Sequence, residues 1–141
     1  MMMFNKSFSF ILFVMFSVYI SGCFASGESN IPVPFGGKWL MIEMQGKKDL
    51  PEGTFLYINS ENVAYQISAG CNTFHGGYEQ SGEKVTFATP AGTKKFCAEL
   101  TDFETGYVRL ITGADEMLIR KNVLQLYKNG ELLLAFRKNE Q

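Results

Sequence analysis

The chain has 141 residues, 13 of them basic and 14 acidic, for a net charge of −1. A balance this even gives no basic stripe to grip a phosphate backbone, so nucleic acid is excluded as a partner. The length suits one domain, the 46% hydrophobic content can fill its core, and no repeat of solenoid period is visible.

The first predicted element is an export signal. Lys6 precedes an apolar run from Phe8 to Ile20. Spanning a ~30 Å hydrocarbon core takes about 20 residues, so the run is too short to cross a membrane. A charged start, a short apolar stretch and small residues after it make residues 1–22 a secretory signal. The stretch closes on Ile20-Ser21-Gly22-Cys23, which resembles the bacterial lipobox. That resemblance implies cleavage before Cys23, a diacylglyceryl group on its thiol, and often a further acyl chain, such as palmitate, on the new amino group. At about 0.8 kcal/mol per buried CH₂, more than one chain makes a stable anchor. The expected partner is therefore a membrane, held through Cys23. Phe24 follows the cysteine, and by the same analogy this favours the outer membrane, facing the periplasm. Residues 23–36 read as a lipidated N-terminus and tether, because FASGESNIPVPF is rich in Ser, Gly and Pro.

From Lys38 the apolar period is mostly two. Trp39 to Met44 is a predicted strand, Gln45 to Gly53 a polar loop, and Thr54 to Ile58 a second strand. After a turn at Asn59–Asn62, Val63, Tyr65 and Ile67 alternate with Ala64, Gln66 and Ser68. Phe74 and Tyr78 belong to a further strand, and Gln80–Glu83 turns the chain into Val85 and Phe87.

The period changes after Cys97. Leu100, Phe103, Tyr107 and Leu110 recur at spacings of three and four, which predicts a helix over Ala98–Thr112. Thr101 and Glu104 have capping-box spacing, so the helix could instead start at Thr101. Gly106 weakens it by about 1 kcal/mol relative to Ala, so it needs tertiary packing. Gly113 suits its end. Three strands follow, at Met117–Ile119, Val123–Tyr127 and Leu132–Phe136. Asn129-Gly130 between the last two is the strongest short-range hairpin signal. One amphipathic helix must bury its face, and a curved antiparallel sheet can cover it. The expected class is α+β: a curved antiparallel sheet or partial barrel with one packed helix.

Three groups of residues now carry a family resemblance. Gly37-Lys38-Trp39-Leu40 is similar to an opening G-x-W-x-L/V strand. Gly70-Cys71-Asn72, with Gly76 and Tyr78 after it, is close to a G-C-N-x-x-x-G-x-Y signature. Thr93 and Cys97 form a T-x-x-x-C element before the helix. Together these resemble the META domain, or HslJ-like family, over residues 37–138. The resemblance implies a small bacterial lipoprotein in envelope, heat-stress or antibiotic-stress contexts, with no enzymatic activity and no cofactor attached to the domain. Arg120-Lys121-Asn122 departs from the longer, Gly/Asp-rich loop usual at that place.

The residue types that could carry chemistry are few. With Cys23 lipidated, Cys71 and Cys97 remain, and in an oxidising compartment two leftover cysteines most often pair. Such a disulfide closes a loop of 26 residues. Two buried free thiols, or one reactive thiol, are the alternatives. A nucleophilic Cys71 would need His75 as base, yet four residues along a strand is ~13 Å. One His and two Cys make a poor metal set. Asn72 suits a left-handed turn bonding its neighbouring amides, and Gly76-Gly77 suits a bulge or a close approach to something packed above, the helix first among candidates. Lys94-Lys95 reads as a solvated edge, or as a face toward anionic lipid or an acidic partner. Asp102, Glu104, Asp115 and Glu116 show no paired-carboxylate logic. Trp39, Phe55, Tyr57, Phe74, Tyr78 and Phe87 are core candidates.

The functional expectation is a non-enzymatic, lipid-anchored envelope protein that binds a protein segment or an apolar ligand in support of stress tolerance. The rivals are a thiol enzyme or redox protein using Cys71, Cys97 and His75, and a pilotin-like or inhibitor-like protein that docks an outer-membrane partner by a sheet edge.

Overall fold

The computed structural model describes residues 35–140. The export signal, Cys23 and most of the tether lie outside the described residues. Nine strands and one helix follow in chain order: β1 (Gly37–Met44), β2 (Phe55–Asn59), β3 (Ala64–Ser68), β4 (Thr73–Ser81), β5 (Lys84–Phe87), β6 (Ala91–Gly92), α1 (Thr101–Gly113), β7 (Glu116–Arg120), β8 (Val123–Lys128) and β9 (Glu131–Lys138).

The strands pair in the order β3-β2-β1-β9-β8-β7-β5-β4, and β4 pairs back onto β3. The sheet is thus a closed antiparallel barrel of eight strands, with β6 added outside β4. The expected curved antiparallel sheet with one helix is present, but it closes completely where a sheet or partial barrel was expected. Closure depends on β4, whose first half pairs with β3 (Thr73↔Ser68 to Gly77↔Ala64) and whose second half pairs with β5 (Tyr78↔Phe87 to Ser81↔Lys84). A single strand serving two neighbours has no signature in a period-two pattern. The thinnest seam is between β5 and β7, where Lys84↔Glu116 is the one registered pair. Backbone bonds from Val85 N–H to Asp115 C=O (3.2 Å) and from Met117 N–H to Glu83 C=O (2.7 Å) complete it.

Alternation places Trp39, Leu56, Ile58, Tyr65, Ile67, Leu124, Leu126, Leu134 and Phe136 inside, all fully buried. The barrel is filled by side chains, as an eight-stranded barrel of this width can be. Helix α1 lies over the end where β1 finishes and β2 begins. Its Tyr107 enters that end, donates to the Phe55 carbonyl (3.1 Å), and stacks tilted on Phe136 at 6.3 Å. Gly106 faces Met44 closely enough that an added Cβ would sit 3.2 Å from the Met44 methyl.

Several expectations need correction. The helix starts at Thr101 rather than Ala98, and no side chain caps it. Thr101 Oγ1 bonds the Cys97 carbonyl instead (3.1 Å), and Glu104 is drawn elsewhere. Gly113 is the last helical residue, and the chain leaves through an extended Ala114 without a left-handed glycine. Val63 lies before β3, exposed, with φ 50°, so it does not continue the alternation of Tyr65 and Ile67. Tyr57 is exposed and Phe55 half-buried on the outer face, where Lys38 Nζ stands 4.3 Å from the Phe55 ring centroid. The Asn129-Gly130 hairpin forms as read, both residues with positive φ, the requirement of a type I′ turn.

Candidate functional site

The signature residues converge beside α1. Cys71 and Cys97 are joined by a disulfide, with Cα atoms 6.4 Å apart. The bridge leaves neither sulfur as a thiolate. His75 projects exposed from β4, opposite Gln66 and Ala91, and makes no part of this cluster.

Asn72 is the centre, only 4% exposed. Its side-chain nitrogen donates to Glu104 Oε2 (2.8 Å) and to the Lys95 carbonyl (3.0 Å). Its side-chain oxygen accepts from the Thr93 hydroxyl (2.7 Å) and the Lys95 N–H (2.8 Å). An amide can donate twice and accept twice, so this one is saturated. The Asn72 backbone N–H adds a bond to Glu104 Oε1 (2.6 Å). Glu104, 8% exposed, therefore receives a donor on each oxygen. Thr93 completes the knot: its N–H reaches the Thr73 carbonyl (3.1 Å) and its hydroxyl accepts from Thr73 N–H (3.2 Å). The saturation corrects the turn reading. The Asn72 side chain bonds residues 21 to 32 positions away, while only its backbone carbonyl serves a neighbour, accepting from Ala69 N–H (3.1 Å), and the left-handed residue is Gly70, φ 93°. Leu100 and Pro51 pack where a Gly70 side chain would go. Glu104 is the member that sequence reasoning missed. Its capping-box spacing pointed to the helix start, and no local pattern ties residue 104 to residue 72.

The two remaining signature residues support the barrel wall. An added Cβ on Gly76 would fall 2.6 Å from the Tyr65 ring, so this glycine makes room for that ring rather than for α1. The β3–β4 register stays regular through Gly76 and Gly77, without a bulge. Tyr65 reaches over and donates to the Ala88 carbonyl (2.6 Å), and its burial pushes the phenol pKa up to about 12. Tyr78 is buried between Phe35, edge-on at 5.7 Å, and Phe87 at 6.1 Å, and burial raises its pKa as well. At the start of β1, the Trp39 indole N–H holds the Phe35 carbonyl (3.0 Å), while Lys138 Nζ donates to the Gly36 carbonyl and lies over the Trp39 ring. Loss of hydration lowers the Lys138 pKa.

Next to the knot an open groove of about 490 Å³ runs between α1 and the β4–β6 rim. Phe74 and Val108 give it apolar walls, Thr93, Thr101 and Thr105 give it hydroxyls, and Lys94 and Arg109 edge it. Its volume falls within the range of small-ligand sites, about 300–1,000 Å³. Glu104 borders it with both oxygens engaged by Asn72. No group of three or more His, Cys, Asp or Glu that could hold a metal occurs among the described residues.

A family model described as the META domain matches residues 32–140. In structure the chain is similar to a DUF4847 family protein from Bacteroides vulgatus ATCC 8482, at 16% identity and a TM-score of 0.57, over 75% of this chain and 94% of that one. It is also similar to a protein from Burkholderia xenovorans solved by NMR, at 20% identity and a TM-score of 0.59, over 74% of this chain and 83% of that one. Identities this low carry the fold alone. No curated protein matches the chain.

Proposed function

The chain belongs to the META domain family, and from that premise we propose that it is a non-enzymatic, lipid-anchored envelope protein whose domain binds a protein segment or an apolar ligand in support of stress tolerance. The observation that carries the binding part is the groove beside the Asn72 knot. It is concave and walled by apolar side chains, and its floor is rigid because every polar group of the Asn72 side chain is satisfied. A preorganised wall loses little entropy when a ligand settles. The disulfide supports a binding role over thiol chemistry, since it stores both sulfurs in a structural bond. The lipobox-like Cys23 supports the anchored location.

A photo-crosslinking residue at Thr105, in the groove wall, tests this in intact cells. A crosslinked envelope protein, or a lipid extracted with the purified chain and lost from Val108→Arg, is the expected result. A chain that yields neither, while folded, removes the binding role. Acylation is checked separately, by the mass of the purified protein and by labelling with palmitate.

A further inference from the structure

Phe96 is the most exposed large apolar side chain among the described residues, at 89%. A lone surface phenylalanine is ordinary on a mobile loop. This one is not free to fold back. On its N-terminal side, the N–H and carbonyl of Lys95 are both bonded to the buried Asn72 amide. On its C-terminal side, Cys97 is bridged to Cys71, and the Cys97 carbonyl accepts from Leu100 N–H (2.9 Å) and the Thr101 hydroxyl (3.1 Å). The signature residues thus hold a phenyl ring outward on a clamped backbone, with Lys94 and Lys95 exposed just before it.

We propose that Phe96, with Lys94 and Lys95, is a membrane-contact tip that seats the domain on an anionic lipid surface. The inference rests on the lipid-anchored reading above. An apolar ring flanked by cations matches the layering of a bilayer surface, acyl chains below and anionic headgroups above. Arg109 adds a third cation on the neighbouring groove edge. Glu99 and Asp102 lie exposed just beyond the loop, and neither pairs with these cations, since the ion pair of the described residues is Lys128–Asp115. The tether has the reach. The chain enters the barrel at Phe35, before β1, and the Phe96 loop sits beside α1 at the other end of that strand. Eleven residues, 24–34, can span at most about 36 Å. The eight residues of β1 span only about 26 Å. An anchor at Cys23 therefore leaves enough chain for the Phe96 end to reach the same surface. Tethering raises the local lipid concentration, so a contact too weak to recruit a free protein can still dock an anchored one.

The test uses the chain purified from its own membranes, with Phe96→Trp as reporter. The one natural tryptophan, Trp39, is fully buried and gives a constant background. The mass of the protein first records whether Cys23 is acylated. If it is not, a chelating lipid at the N-terminus supplies the anchor, so that failure of acylation and failure of this contact are read apart. The protein is placed on vesicles of brominated phosphatidylcholine, with and without phosphatidylglycerol. Bromine quenching of the added indole on the anionic vesicles is expected. Lys94→Gln or Lys95→Gln should each lower the docked population about fivefold, the equivalent of ~1 kcal/mol per basic residue near an anionic surface. No quenching on anionic vesicles overturns the proposal, as does equal quenching on neutral ones. Shielding of the indole by an envelope protein extract, with vesicles leaving it unquenched, assigns the tip to a protein and overturns it too.

Discussion

Two regions of this domain meet on β4 and are held by opposite means. Behind β4, the β2–β3–β4 wall is a regular ladder in which consecutive strands pair residue by residue and Leu56, Ile58, Tyr65, Ile67 and Tyr78 fill the inner face. In front of it, β6, the Phe96 loop and the start of α1 are fastened by one amide, one carboxylate, one hydroxyl and one disulfide. The ladder spreads its stability over many similar contacts, so a small loss at one place is shared. The knot concentrates it, because its hydrogen bonds converge on the buried Asn72 and Glu104 side chains. The groove and the exposed phenylalanine both lie on the knotted side, where loops need rigidity that a ladder does not supply.

The largest test of the contrast is Asn72→Ala. It deletes four hydrogen bonds and leaves the Lys95 peptide, the Thr93 hydroxyl and one Glu104 oxygen without their partner. A loss of about 4 kcal/mol is expected in urea unfolding, far more than for a half-buried ladder residue such as Gln66. Cleaving the bridge comes next. Cys97→Ser should lose about 3 kcal/mol through the freed 26-residue loop, and hydrogen exchange should rise in residues 93–100 before it rises in β2 and β3. On the ladder side, Gly76→Ala forces a methyl into the Tyr65 ring and should cost about 2 kcal/mol by thermal unfolding. Rescue by Tyr65→Leu would show that the ring alone sets that limit. The turn leading into β3 should show a gain. Val63 is a β-branched residue held at φ 50°, and Val63→Asn should stabilise by about 1 kcal/mol by relieving left-handed strain.

One further effect is absent at neutral pH and appears only in alkali. The folded Tyr65 phenol titrates at about 12 instead of 10.0. Between those values the unfolded chain gives up the proton and the folded one keeps it, so stability is intact below pH 10 and falls as pH rises toward 12. Tyr107, raised by burial and then by its neighbour Tyr65, extends the fall in the same direction. Tyr65→Phe should flatten the first part of that profile in a pH series of melting temperatures.

Much of this was legible beforehand, because it is local. Period-two alternation at Tyr65 and Ile67, the Asn129-Gly130 turn and the 3–4 spacing around Tyr107 each act within one turn or one strand. They place eight of the nine strands near their observed positions, along with the helix and the last hairpin. Of the states the sequence leaves open for Cys71 and Cys97, the structure has the disulfide. Phe55 and Tyr57 were misplaced because an aromatic strand reads alike whether its rings face inward or outward. The two-residue β6 was too short for any periodicity.

The sequence by itself determined a strand-rich domain with one amphipathic helix and a family signature. Only the tertiary structure decided that the sheet closes on itself, that Glu104 leaves the helix start for Asn72, and that Phe96 is held out toward solvent. The physical reason is range. Periodicity and turn chemistry act between residues a few positions apart, whereas closure through β4 and saturation of one buried amide require groups 21 to 32 residues apart to arrive together, and that is settled by which partners the folded chain brings within bonding distance.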